Sequence, residues 1–251
     1  MNTKQFKLNQ LTTHNSKFIT QKMAYYFLNE ALYFPPVSKT NRDGVLAIGG
    51  DLSIQRLLLA YYSGIFPWFS EGEPIIWWSP DPRFVLYPND LKVSKSMKQI
   101  FKKNEFEVTF DKDFLAVISN CQQKKRKGQY GTWITADIIT AYHNLHKEGI
   151  AHSVEVWKEG KLVGGLYGIA LGNCFFGESM FAHVSNASKV GFITLVQKLT
   201  QKNIHLIDCQ IHTEHLESLG GAFISRKQFI KEIEENTKND TLKGNWSELL
   251  A

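Results

Sequence analysis

AHSVEVWKEGKLVGGLYGIALGNCFFGESMFAHVSNASKVGFITLVQKLTQKNIHLIDCQI, residues 151 to 211, decides the fold. HSVEVW, 152 to 157, alternates polar and apolar side chains as a half-buried strand does. KEGKL, 158 to 162, is a turn, and LVGGLYGIALG (162–172) and CFFGESMF (174–181) read as two further strands. SNASKVGFITLVQKLTQKN, 185 to 203, reads as a helix, with Ser185, Asn186 or Ser188 available to cap it. HLIDCQI, 205 to 211, is one more strand. Hairpin strands, then a helix, then a strand describe an α/β (α+β) layer fold with a mixed sheet.

Polar residues inside these apolar strands mark where chemistry can sit. In IDCQ, strand alternation puts Asp208 and Gln210 on one face and Ile207 and Cys209 on the other. An acid and an amide there are costly to bury unless they are paired or used. They are either a structural pair or part of a site. Glu178 in GESMF poses the same choice. Phe175 and Glu178 differ in parity, so both line one pocket only if the strand bulges near Gly177.

Upstream, 136 to 148 reads as a helix ending at Gly149. VSKSMKQIFKK, 93 to 103, is amphipathic: Val93, Met97, Ile100 and Phe101 share a face, and Lys95, Lys98 and Lys102 project elsewhere. Lys124, Lys125, Arg126 and Lys127 form a second basic run, closed by Gly128. Two such runs suit a phosphate-binding surface. From Phe34 to Pro82, turn formers punctuate aromatic residues. A short helix, 54 to 63, is capped by Asp51 or Ser53 and ended by Gly64. GIFPWFSEGEPIIWWSPDPRFVLYP cannot be a long helix; it is either a shaped wall of a site or an aromatic mini-core. Downstream, 226 to 236 reads as a last short helix.

Composition bounds the class. The 251 residues are 43% hydrophobic and 21% charged, which is ordinary for a folded chain and excludes a disordered one. A net charge of +5 leans toward an anionic partner. Cys121, Cys174 and Cys209 form neither a disulfide framework nor a CxxC pair, which fits a reducing compartment. No apolar run has the length of a membrane span, and MNTKQFKLNQLTTHNSKF has no secretory core, so a cytoplasmic protein without membrane contact is expected. Residues 1 to 22 read as a flexible extension. His212 and His215 lack the further ligands of a metal site, and no Walker or dinucleotide glycine loop is present, so neither metal nor cofactor is expected.

DGVLAIGGDLS (43–53), GIFPWFS (64–70), IIWWSPDPR (75–83), GTWIT (131–135), HSVEVW, LVGGLYG, FFGESMF, NASK (186–189) and LIDCQ follow one another in that order. The ordered set, from about Phe34 to Phe229, resembles the leucyl/phenylalanyl-tRNA–protein transferase family. The resemblance implies a small N-terminal α/β domain, 23 to 82, and a GNAT-like acyltransferase domain, 83 to 251. It implies an aminoacyltransferase that moves leucine or phenylalanine from aminoacyl-tRNA to proteins with N-terminal arginine or lysine, creating a degradation signal. Trp68 and Trp133 correspond to the family's adenine-stacking residues, and Phe175, with Leu166, to its apolar pocket. Glu178 corresponds to the residue that holds the aminoacyl end, and Asp208 and Gln210 to the catalytic pair. The lysines of 95 to 102 and the run 124 to 127 would meet the acceptor stem. An amide is a poor base, so Asp208 or a ribose hydroxyl is the better proton acceptor. A monomer is expected. Two rivals remain. An acetyl coenzyme A acetyltransferase would need a glycine-rich pyrophosphate turn that SNASKVG does not supply, and an RNA-binding module leaves Glu178, Asp208 and Gln210 without a task.

Overall fold

Lys158 and Lys161 pair across a two-residue turn in which Glu159 and Gly160 both take positive φ, 52° and 71°. That backbone hand matches the twist of a hairpin and fixes the register of the strands on either side. The structure, a computed structural model, describes residues 25–124 and 132–250. The extension expected at 1 to 22 and the side chains of Lys125, Arg126 and Lys127 lie outside the described residues.

The strands are β1 (Tyr26–Leu28), β2 (Val45–Gly49), β3 (Phe66–Pro67), β4 (Ile76–Trp78), β5 (Arg83–Leu86), β6 (Glu107–Phe110), β7 (Ala151–Lys158), β8 (Lys161–Leu171), β9 (Cys174–Ala182), β10 (Leu206–Gln210) and β11 (Ala222–Ile224). The helices are α1 (Ile54–Tyr62), α2 (Lys95–Lys103), α3 (Phe114–Gln123), α4 (Ala136–Lys147), α5 (Ala187–Gln201), α6 (Glu214–Glu217), α7 (Arg226–Asn236) and α8 (Trp246–Leu249).

Two sheets result. A small one has the order β1-β2-β4-β3, and a seven-stranded one the order β11-β5-β10-β9-β8-β7-β6. The small sheet ends at Trp78 and the large one takes up the chain at Arg83, on either side of Pro82. In the large sheet only β9 and β10 run parallel, joined through α5; its other neighbours are antiparallel. The fold is therefore α/β with a mixed sheet. Helices cover both faces, so the middle strands are buried on both sides and read as nearly continuous apolar runs. One core joins α3, α4, α1, α7 and the small sheet to one face. The other joins α5, α2 and α8 to the opposite face.

α5 lies close on the sheet because two glycines let it. A Cβ on Gly164 would stand 2.7 Å from that of Ala187, and one on Gly191 would stand 2.8 Å from Val156 Cγ2. α5 starts without a side-chain cap. Asn186 holds the cap position in a left-handed conformation, so none of the three candidate side chains caps it in the structure. The other starts follow the sequence: Ser53 caps α1 and Thr135 caps α4 through their side chains.

The last residues are anchored. Trp246 is fully buried and stacks on the His152 ring at 3.8 Å, and its backbone N–H donates to Asp111 Oδ2 at 2.8 Å. Burial pulls the His152 pKa down, against the opposing pull of Asp111. The folded state therefore favours neutral His152, and this contribution is lost as pH falls below the ordinary value of 6.5. Trp246→Ala is expected to lower the unfolding free energy by about 3–5 kcal/mol, read from urea unfolding. In the wild type, the protection of the α8 amides relative to intrinsic exchange should fall as pH drops below 6.5.

Candidate active site

β9 and β10 are hydrogen-bonded only from the pair Cys174–Leu206 to the pair Phe176–Asp208. Beyond that they part, β9 continuing beside β8 and β10 beside β5. Each strand also gains a residue where they part. Tyr167 faces Ser179 and Gly168 faces Gly177, so Glu178 is the extra residue of a bulge. Asp208 faces Val85 and Gln210 faces Phe84, so Cys209 is extra in β10, and Gln210 takes a left-handed φ of 61°.

The wedge between the parted strands opens into a cavity of about 430 Å³. Its walls come from both faces of the sheet. Phe66, Trp68, Trp133 and Tyr167 form an aromatic side, and Leu166, Met180, Ile207 and Leu216, with the ring of Phe192 among them, a mostly aliphatic one. Leu166 and Tyr167 are consecutive in β8 and point to opposite faces, yet both line the cavity. Trp68 is backed by Trp78, with ring centroids 5.4 Å apart.

Polar groups converge where the strands split. Arg83 grips Asp208 with two bonds, Nε to Oδ1 at 2.8 Å and Nη2 to Oδ2 at 2.6 Å. Both residues are completely buried, and the guanidinium lies between the rings of Phe66 and Phe229, 4.7 and 4.5 Å from their centroids. Asp208 Oδ1 also accepts the backbone N–H of Gln210 at 2.9 Å. Gln210 donates through Nε2 to Glu178 Oε1 at 2.9 Å. Glu178 accepts from Tyr61 at 2.6 Å and from Tyr142 at 3.1 Å, and those two hydroxyls also touch each other. Burial pushes the Glu178 carboxyl up to about 7 against the tyrosine donors, and Asp208 adds to the rise. Burial also raises the Tyr61 and Tyr142 hydroxyls and the Cys209 thiol, which leaves that thiol a poor nucleophile.

The cavity thus brings together Trp68, Trp133, Leu166, Glu178, Asp208, Gln210 and Lys124. Asp208 and Gln210 both line it, although the extra residue at Cys209 breaks the strand alternation that would have put them on one face. Phe175 is placed elsewhere: it is fully buried on the α5 side, against Trp246, and is not among the cavity-lining side chains. The bulge falls at Glu178, beyond Phe175, so Phe175 and Glu178 stay on opposite faces. Lys95, Lys98 and Lys102 are exposed on α2 and do not line the cavity. His212 pairs with Glu217 at 2.9 Å, and among the described residues no group of three His, Cys, Asp or Glu side chains could hold a metal. Sequence reasoning missed Arg83, Tyr61 and Tyr142. Tyr61 carried a helical-spacing signal for the core face of α1, and nothing local marked the other two.

A carboxylate held in a largely apolar cavity beside an amide and stacking rings is the equipment of a group-transfer enzyme, and the chain is a transferase. A family model described as leucyl/phenylalanyl-tRNA protein transferase matches residues 85–234, and that family's N-terminal domain matches residues 50–81. The leucyl/phenylalanyl-tRNA–protein transferase of Flavobacterium johnsoniae is 60% identical over 82% of this chain and 97% of that one. The protein of the same name from Syntrophus aciditrophicus is 54% identical over 88% and 92%. The chain belongs to the leucyl/phenylalanyl-tRNA protein transferase family.

The tyrosine hydroxyls favour the ionised form of Glu178 against the effect of burial. Removing either donor, Tyr61→Phe or Tyr142→Phe, should move the Glu178 titration upward from about 7. ¹³C-glutamate NMR, with Glu178→Gln to assign the resonance, reads the shift.

Proposed function

We propose that the protein transfers leucine or phenylalanine from aminoacyl-tRNA to the N-terminal amine of acceptor proteins beginning with arginine or lysine. The observation that carries this reading is the cavity at the strand split. It joins an aromatic wall, an aliphatic wall and the Glu178–Gln210–Asp208 cluster in one space. Trp68 and Trp133 stack the terminal adenosine, an interaction worth about 1–3 kcal/mol per base. Leu166, with the aliphatic side chains around it, takes the leucyl or phenylalanyl side chain, and Phe175 supports that wall from behind. Glu178 and Gln210 meet the reacting groups, and Asp208 orients Gln210 through its backbone N–H.

The substrate is an activated ester, so holding amine and ester together supplies much of the rate. Residues 83 to 251 act as a GNAT-like acyltransferase domain and residues 23 to 82 as a small N-terminal domain. Lys124, on the cavity wall, with Lys125, Arg126, Lys127 and the α2 lysines, meets the phosphates of the acceptor stem. The enzyme works as a cytoplasmic monomer, in keeping with Cys121, Cys174 and Cys209 forming no disulfide. Its product carries an N-terminal degradation signal.

Transfer of radiolabelled leucine from leucyl-tRNA to a peptide beginning with arginine tests the reading. The wild type should transfer. Trp68→Ala and Trp133→Ala should each raise KM for leucyl-tRNA about 5- to 160-fold. A well-folded wild type that transfers nothing would refute the assignment.

A further inference from the structure

Two carboxylates reach this cavity, and their surroundings differ. Asp208 has no exposed surface. Its Oδ1 accepts from Arg83 Nε and the Gln210 N–H, and its Oδ2 from Arg83 Nη2. Every bond is one that protonation would weaken, and two come from a permanent cation. Glu178 has no cationic partner among its hydrogen bonds. Its three donors are the neutral Tyr61 and Tyr142 hydroxyls and the Gln210 amide. It stays partly exposed, on the bulge of β9 that forms the cavity wall.

Resting on the transferase reading above, we infer that Glu178 takes the proton from the attacking amine, and that Asp208, locked by Arg83, positions the strand end and takes no proton. Arg83 is accordingly a positioning residue, acting on the reaction only through Asp208 and Gln210. The step balances. The neutral amine nitrogen forms a bond to the ester carbonyl carbon, and the bond from that carbon to the ribose oxygen breaks. One proton leaves the nitrogen for Glu178 and passes on to the ribose oxygen, which restores the carboxylate. Gln210 stays an amide throughout and donates to Glu178 Oε1, which also accepts from Tyr61, while Tyr142 donates to Oε2.

The groups facing Glu178 agree with this division of labour. α1 and α4 contribute hydroxyls that burial keeps protonated, and β10 contributes Asp208, whose charge Arg83 of β5 offsets. With its carboxyl near 7, Glu178 divides between its protonated and ionised forms at neutral pH, and the ionised form is basic enough to accept a proton.

Two ionisations, of the amine and of Glu178, must then both be complete for reaction. Leucine transfer from leucyl-tRNA to an arginyl peptide, measured as kcat/KM between about pH 5 and pH 9, reads them separately. Below pH 6.5 the logarithm of the wild-type rate should climb with a slope of two. Glu178→Gln, matched in shape, should climb with a slope of one and lose about 100-fold or more at pH 8. Gln210→Ala should be slower but keep the slope of two. Arg83→Lys should lower kcat with the slope of two retained and KM for leucyl-tRNA unchanged. A wild-type slope of one overturns the inference without any variant, as does a slope of two in a folded Glu178→Gln. Absence of transfer at every pH would instead sink the transferase reading itself.

Discussion

Arg83 and Asp208 are both removed from water, and that fact constrains everything around them. A buried ion pair repays its desolvation only when the geometry is good and the remaining polar atoms find partners. Here the guanidinium fork meets the carboxylate with two bonds and packs against the rings of Phe66 and Phe229, while Nη1 is buried without a hydrogen-bond partner among the described residues. Those rings come from β3 of the small sheet and from α7, the arginine from β5 and the aspartate from β10. Four separate elements therefore have to arrive in register for the pair to form. Once formed, it fixes the end of β10, and through the Gln210 N–H it fixes the turn of backbone that aims Gln210 at Glu178.

The regular parts of this arrangement were legible in the sequence because local chemistry sets them. Ser53 and Gly64 bound α1 as a cap and a glycine stop should, and α4 and α7 begin and end within a residue or so of their periodic patterns. Asp208 and Gln210 were legible as an acid and an amide on one short strand, but the extra residue at Cys209 breaks the alternation that would put them on one face, and only the fold brings both to the cavity wall. What stayed hidden depends on contacts between distant parts of the chain. Arg83 lies 125 positions from Asp208 and Tyr61 lies 117 from Glu178, and no local pattern encodes either meeting. Phe175 was hidden differently. A phenylalanine in an apolar strand suits a pocket wall and a core equally, and only the position of the bulge decides which it serves. Trp246 sits in a polar tail with no periodicity, and its burial depends on the ring of His152, far back in the chain.

The split between β9 and β10 explains why a site forms in the middle of a sheet otherwise covered on both faces. Antiparallel neighbours such as β7 and β8 stay paired along their length and leave no gap. A parallel pair joined through a helix has no hairpin to hold its far ends together. Both strands bulge at that point, at Glu178 and at Cys209, so each finds its remaining partner on its outer side. The gap between them draws walls from both cores, aromatic on the small-sheet side and mostly aliphatic, with Phe192, on the α5 side.

That geometry also separates the roles of two like groups. Asp208 raises the Glu178 pKa by its negative charge, and would raise it further if it stood alone. Arg83 offsets that charge at its source, so the cavity contains one uncompensated carboxyl instead of two. Where environments drive the affinities of two carboxylates apart, one becomes a fixed anion and the other a proton carrier. The fixed one belongs on the strand end that must not move, and Asp208 is there, sealed under aromatic rings. The carrier belongs on the surface that substrate reaches, and the bulge in β9 puts Glu178 on it.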